Sequence, residues 1–211
     1  MRDLWQEQLA DGLAQMGLTA SSSQQTLLLD YLQLLQKWNR SFNLTAVRDP
    51  EIMVSRQLLD SLSILSLLRG ERVLDVGSGA GLPGIPLAIM DPGRRFTLMD
   101  TNGKKARFLR QAKLELGLEN VQVEQARVET YMASQPFQTI VSRAFSSLPL
   151  MLELTRHLLS GDGCWLAMKG AVPVEEIDAL DYALHIQIHA LQVPGEAGQR
   201  HAVELCLRQI M

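Results

Sequence analysis

The segment Val73-Leu74-Asp75-Val76-Gly77-Ser78-Gly79-Ala80-Gly81-Leu82-Pro83-Gly84 constrains the fold of this chain more than any other. A short β-branched run enters a glycine-dense turn, and the turn opens a helix. Glycine is needed there because the turn must visit positive φ and a ligand must approach backbone with no Cβ in the way. Asp75, at the end of the strand, can accept hydrogen bonds from loop N–H groups and offer negative charge to a cationic ligand. A sulfonium with an amino-acid tail fits that field better than a pyrophosphate. Gly79-Ala80-Gly81-Leu82-Pro83-Gly84 also spells G-x-G-x-x-G, the dinucleotide fingerprint, with Asp100 at about the ~20-residue distance of a ribose-binding acid. In that pattern the first glycine falls where the strand ends. That register is filled by Gly77-Ser78-Gly79-Ala80-Gly81, whose sixth position is Leu82. Asp100 would take ribose hydroxyls in either reading and does not discriminate.

The hydrophobic period changes once, near residue 70. Before it the chain reads as helical. Leu4, Leu9, Leu13 and Met16 predict a first helix that stops at Gly17, and a second starts among Ser21, Ser22 and Ser23 and runs through Leu28, Leu32, Leu35 and Trp38. A turn is expected around Asn39 to Asp49. Pro50 and Glu51 suit the first turn of a third helix ending near Arg69-Gly70. From Arg72 onward, β-branched runs predict strands over 72–76, 96–100, 121–124, 139–142, 165–168, 186–193 and 203–207. The connections are long enough for crossover helices except the last, Pro194-Gly195-Glu196-Ala197-Gly198, which reads as a hairpin-like turn. The expected fold is α/β: a seven-stranded, mostly parallel sheet with an antiparallel last strand. Residues 1–70 form an N-terminal helical extension packed on a core of residues 71–211, one structural domain overall.

A chain of 211 residues, 46% hydrophobic, can bury one substantial core. The start lacks a signal peptide's basic and apolar segments, and Leu58 to Leu68 is broken by Asp60, Ser61, Ser63 and Ser66, so a cytoplasmic protein without membrane contact is expected. Cys164 and Cys206 sit in apolar runs with no partner at metal-ligand spacing; they read as two small buried hydrophobes, with neither a disulfide nor a metal site. The net charge of −3 argues against a protein that coats nucleic acid indiscriminately. The total hides an asymmetry. Arg94, Arg95, Lys104, Lys105, Arg107, Arg110 and Lys113 face a single acid, Asp100, whereas Gly170 to Gln199 holds Glu175, Glu176, Asp178, Asp181 and Glu196 and no lysine or arginine. The basic helix face is either an RNA contact or ordinary solvated surface.

Several blocks, in order, resemble those of the RsmG (GidB) family of 16S rRNA guanine-N7 methyltransferases. They are Trp38-Asn39 with Phe42-Asn43-Leu44-Thr45-Ala46-Val47-Arg48-Asp49-Pro50, Leu58-Leu59-Asp60-Ser61-Leu62, and the loop from Asp75 to Ala88. Lys104-Lys105-Ala106-Arg107-Phe108-Leu109, Ala126-Arg127-Val128-Glu129, Ser142-Arg143-Ala144-Phe145 and Met168-Lys169-Gly170 follow. The resemblance implies a class I Rossmann-like fold that binds S-adenosyl-L-methionine and releases S-adenosyl-L-homocysteine. Its substrate would be 16S rRNA or the small ribosomal subunit, methylated at guanine 527 of the 530 loop, with no obligate protein partner. It further implies that Gly77, Gly79 and Leu82 line the cofactor through the loop and that Val128 and Glu129 lie beside the adenine. Arg143 would contact the cofactor or order the pocket at the tip of the fourth strand. Gln57 departs from the family, which commonly has histidine there.

Ser142-Arg143-Ala144-Phe145 stands where amine methyltransferases carry Asn/Asp-Pro-Pro-aromatic, and Cys164 is expected at the wrong edge of the sheet for a cytosine-C5 nucleophile. Guanine N7 has an in-plane lone pair and no proton, so in-line attack needs no general base, and no acid/base residue is expected. Positioning can contribute ~7–11 kcal/mol. Lys169, Asn43 and Arg48 are the candidates for holding guanine or its phosphates, each also readable as a plain surface or turn residue. A small-molecule methyltransferase, an NAD-dependent oxidoreductase and a non-catalytic RNA-binding module are the competing readings.

Overall fold

The computed structural model describes residues 1–180 and 184–207; Asp181, one of the acids named above, lies outside them. The chain opens with α1 (Arg2–Gln15) and α2 (Ser22–Phe42). Trp5, Leu9 and Leu13 are the buried face of α1, while Leu4 is exposed, so the indole takes the place expected for Leu4. Gly17 ends the helix at φ +66. In α2, Ser21 Oγ accepts from Gln24 N–H and Gln24 Oε1 accepts from Ser21 N–H, a reciprocal capping box. This helix runs past Trp38 and Asn39 to a left-handed cap at Asn43, φ +49, a conformation that asparagine tolerates better than most residues.

The third helical segment is broken where one continuous helix was predicted. A 3-10 turn over Pro50–Ile52, capped by Asp49, passes into a π-helical stretch over Val54–Leu59, the short α3 (Asp60–Leu62) and a second 3-10 turn over Leu65–Leu67. Such wide turns recur at functional sites, and this one carries Arg56 and Gln57.

The alternating region gives β1 (Arg72–Val76), α4 (Gly84–Met90), β2 (Arg95–Met99), α5 (Gly103–Glu115), β3 (Val121–Glu124), β4 (Phe137–Arg143) and α6 (Leu148–Thr155). These are followed by β5 (Leu159–Lys169), α7 (Val174–Asp178), β6 (Leu184–Ala190) and β7 (His201–Leu207). The sheet order is β3-β2-β1-β4-β5-β7-β6, with β7 antiparallel to both neighbours and the other ladders parallel. All seven predicted strands are present; β1 and β3 keep their predicted bounds, the others shift or lengthen, and two of those shifts have a visible cause. β6 stops at Ala190, because its ladder closes with Leu191 N–H on the Arg200 carbonyl and Val193 turns inward to be buried. β5 begins at Leu159, paired to Phe137 across an irregular register. Cys164 therefore lies inside the strand.

The register of β5 on β7 also corrects the reading of the cysteines. Cys164 and Cys206 are direct cross-strand partners and form a disulfide. A separation of 42 residues along the chain gave no sign of that pairing, which exists only once the strands are aligned. Glu204 joins them as a candidate metal-binding group, but with both sulfurs in the disulfide it offers only its carboxylate.

One core cluster lies on the sheet face covered by α1, α2, α4 and α5; it joins Trp5, Leu9, Tyr31 and Leu35 of the extension to Val73, Leu98, Val141 and Leu166 of the sheet. The other face packs Leu148 and Met151 of α6 on Leu74, Ile140, Trp165 and Leu205. Central strands buried on both faces read as nearly continuous apolar runs, which is why β1 and β4 were legible. Among the described residues no helix is long and apolar enough to cross a membrane.

Candidate active site

Parallel strands deliver their C-terminal ends to one edge of the sheet, where ligands bind in such folds. At this edge the glycine turn leaves β1 with Gly77, Gly79 and Gly81 at φ +70, +59 and +86. Ser78 N–H donates to the Met99 carbonyl and Ser78 Oγ to the Asp75 carbonyl, so the turn is tied to the ends of β1 and β2. Asp100 closes it from the other side: Oδ2 accepts from Gly79 N–H at 3.0 Å and lies 3.6 Å from Lys105 Nζ, while Oδ1 accepts from Asn102 N–H at 2.8 Å.

A cavity of about 240 Å³ opens on this turn, lined by Gly77, Asp100, Lys105, Val128, Glu129 and Phe145, with Met99 and Ala144 beside them. It brings together four of the seven residues expected at the cofactor. Gly79 holds Asp100 at the rim, and a Cβ there would find nothing closer than 3.8 Å, which leaves room for a ligand against the backbone. Leu82 is buried in the core beneath the turn, and Arg143 lines a different cavity. The donor set fits a nucleoside with a cationic tail. Two carboxylates, Asp100 and Glu129, can accept from sugar hydroxyls, and Met99 and Val128 offer apolar surface to a flat base.

Asp75 does not face this cavity. It is fully buried; Oδ2 accepts from Gly84 N–H at 2.9 Å and Oδ1 has no hydrogen-bond partner among the described residues. Burial raises its carboxyl to about 7, against the lowering effect of the Gly84 N–H, the Ser78 hydroxyl and Arg143. Its negative charge is thus held under the loop and only partly expressed at neutral pH.

A second cavity of about 370 Å³ adjoins the first, and Ala144 lines both. Ala144 holds φ +62, a strained value for a residue with a Cβ, and turns the chain so that Phe145 packs on Gly77. The second cavity is lined by Arg56, Gln57, Asp60, Arg143, Lys169, Arg200 and His201, with Val47, Met168, Gly170 and Leu191. Its polar wall is one network. Asp60 Oδ2 accepts from Arg143 Nη1 at 3.0 Å and Oδ1 from Arg200 Nε at 3.2 Å. Glu196 pairs with Arg56 and with Arg200 at 3.0 and 2.9 Å. Gln57 Oε1 accepts from Arg143 Nη2 at 3.0 Å, and Gln57 Nε2 donates to Thr45 Oγ1 at 2.9 Å. Gln57 therefore links the Asn-Leu-Thr segment to the tip of β4.

Lys169 lines this cavity and donates to Glu176 at 2.9 Å and to the Ser146 carbonyl at 3.3 Å. Burial alone would raise the Glu176 carboxyl, but the Lys169 ammonium and the Leu148 N–H together hold it below the usual range. Asn43 and Arg48 line neither cavity. They are bonded to each other, Arg48 Nη2 to Asn43 Oδ1 at 2.6 Å, on the segment whose Val47 reaches the second one. Arg56, Asp60, Arg200 and His201 were not identified from sequence. One signal was available for Asp60: an acid inside an apolar run that folds inward must find a cation.

Among solved structures, the fold is similar to that of an S-adenosylmethionine-dependent methyltransferase from Aquifex aeolicus, with TM-score 0.58, 17% identity, and 83% of this chain and 98% of that one covered. It is also similar to a Bacillus cereus O-methyltransferase in complex with S-adenosylhomocysteine, with TM-score 0.56, 15% identity, and 85% and 91% covered. These likenesses establish the class I methyltransferase fold. A curated relative from Ectopseudomonas mendocina, named ribosomal RNA small subunit methyltransferase G, is 58% identical over 203 residues, covering 94% of each chain. Residues 24–203 match the family described as GidB, rRNA small subunit methyltransferase G, and the chain belongs to that family.

Proposed function

We propose that this protein transfers a methyl group from S-adenosyl-L-methionine to N7 of a guanine in 16S rRNA, the 530-loop guanine of the family resemblance. The observation that carries the reading is the pair of adjoining cavities meeting at Ala144, one acidic and glycine-walled, the other lined by four cations. When bound, S-adenosyl-L-methionine supplies an electrophilic methyl group. Gly77, Gly79, Asp100, Val128 and Glu129 hold it, and the turn at Ala144 brings the two cavities edge to edge.

The protein's task on the substrate side is alignment and exclusion of water. N7 attacks with a lone pair already in the ring plane, so no side chain has to remove a proton. Lys169 and Arg200 stand where they can donate to guanine O6 or a flanking phosphate, and Arg143 orders the wall between the π-helical stretch and β4. Arg48 and Asn43 at the outer edge, with the exposed Lys104, Arg107 and Arg110 of α5, add phosphate contacts. Not every basic residue of that run is free to do so. Arg94 is held by Asp91 and by the Gly70 and Leu68 carbonyls.

The decisive experiment transfers labelled methyl to small ribosomal subunits and to naked 16S rRNA, then cleaves chemically at N7-methylguanosine. Label in RNA with a cleavage site in the 530 loop is expected. Label appearing only in a small metabolite overturns the reading.

A further inference from the structure

We infer that His201 is a specificity residue, accepting a hydrogen bond from the Watson–Crick edge of the target guanine through Nε2. The inference rests on the guanine reading above. A guanine whose N7 must attack cannot have that atom tied up by a donor, so it has to be held elsewhere. Its remaining edge carries two donors, N1–H and the 2-amino group, and these require an acceptor in the pocket.

The side chains lining the second cavity supply few. Arg56, Arg143, Lys169 and Arg200 can only donate. Gln57 is fully buried, with its oxygen taken by Arg143 and its nitrogen by Thr45. Asp60 is 5% exposed and has an arginine on each oxygen. His201 remains. Its Nδ1 lies 2.7 Å from the Gly170 carbonyl. A carbonyl only accepts, so the hydrogen is on Nδ1. Nε2 of the neutral ring is then a lone pair, and it has no protein partner among the described residues. The ring is held by that bond, on a strand whose register sets His201 opposite Lys169.

This places an acceptor and a cation on neighbouring strands of the same cavity: Lys169 toward O6 or phosphate, His201 toward N1–H or the 2-amino group. Adenine would present a lone pair at N1 to the lone pair of Nε2. A site that hydrogen-bonds a substrate group rejects the analogue lacking it more strongly than shape alone does.

The test compares His201→Phe and His201→Gln with wild type, in steady-state kinetics on small ribosomal subunits with both substrates varied. The phenylalanine keeps a planar ring without an acceptor, whereas the glutamine puts an amide oxygen near the position of Nε2. We expect His201→Phe to lower kcat/KM for the RNA roughly 10- to 100-fold with the KM for S-adenosylmethionine unchanged, and His201→Gln to recover most of the loss. Wild-type kinetics in His201→Phe, or equal impairment of both variants, overturns the inference while the wild-type N7-methylguanosine signal upholds the guanine reading. Wild-type protein that transfers no methyl to RNA overturns both.

Discussion

The phenol of Tyr31 donates to the carbonyl of Ala80 at 2.7 Å, joining the middle of α2 to the glycine turn after β1. Tyr31 is fully buried, and desolvation keeps the hydroxyl protonated well above its ordinary range, so the bond is a donor at every accessible pH. The helical extension therefore braces the cofactor side of the molecule. Tyr31→Phe leaves a buried carbonyl without its donor, which costs about 1–3 kcal/mol. Urea unfolding should show that loss, and S-adenosylhomocysteine should bind several-fold more weakly. Unchanged stability would mean that the turn holds its shape without α2.

Gly77 and Gly79 share a left-handed backbone but not the same surroundings. A Cβ on Gly77 would come within 2.7 Å of the Phe145 ring, while one on Gly79 meets nothing nearer than 3.8 Å. Both alanine variants pay a strain of about 1–2 kcal/mol. Gly77→Ala adds a clash and should be the less stable of the two in thermal unfolding. Pairing it with Phe145→Ala should cost less than the sum of the single changes, a coupling that a double-mutant cycle reads directly. Strict additivity would place Phe145 elsewhere in solution.

Asp75 makes stability depend on pH in the direction opposite to an ion-paired carboxylate. Its folded value of about 7 lies above the ordinary value of 3.8, so between these limits the folded protein binds the proton more tightly than the unfolded chain. Its contribution is greatest below about pH 3.8 and is lost as pH rises toward 7. Asp75→Asn keeps an acceptor for Gly84 N–H and removes the ionisation. The difference in melting temperature between variant and wild type should shift in the variant's favour from pH 4.5 to about 7. A constant difference across that range would show that Asp75 does not titrate there.

The glycine turn, the seven strands and the cofactor side of the site were legible because their signals are local. Gly77 and Asp100 directly follow β1 and β2, whose apolar runs mark where they stop, and such ends converge on one edge of any parallel sheet, whereas Val128 and Glu129, in the turn after β3, were legible only through the family resemblance. On the substrate side Lys169 was legible, but the charged network around it was not. Asp60 and Arg200 are 140 residues apart, and Arg143 reaches back 83 residues to the same carboxylate. No period or spacing in the chain announces such a pair.

The amino-acid order by itself determined which segments become strand or helix, where the chain must bend through positive φ, and the family to which those blocks are similar. Backbone sterics and the alternation of apolar residues act over a few positions and can be read there. Tertiary structure alone decided that Cys164 meets Cys206, that Arg143 turns away from the cofactor cavity, that the third helix widens at Gln57, and that His201 faces Lys169. Those outcomes follow from strand register and from buried charges finding partners across the fold, and both are set only when distant segments share the same low-dielectric space.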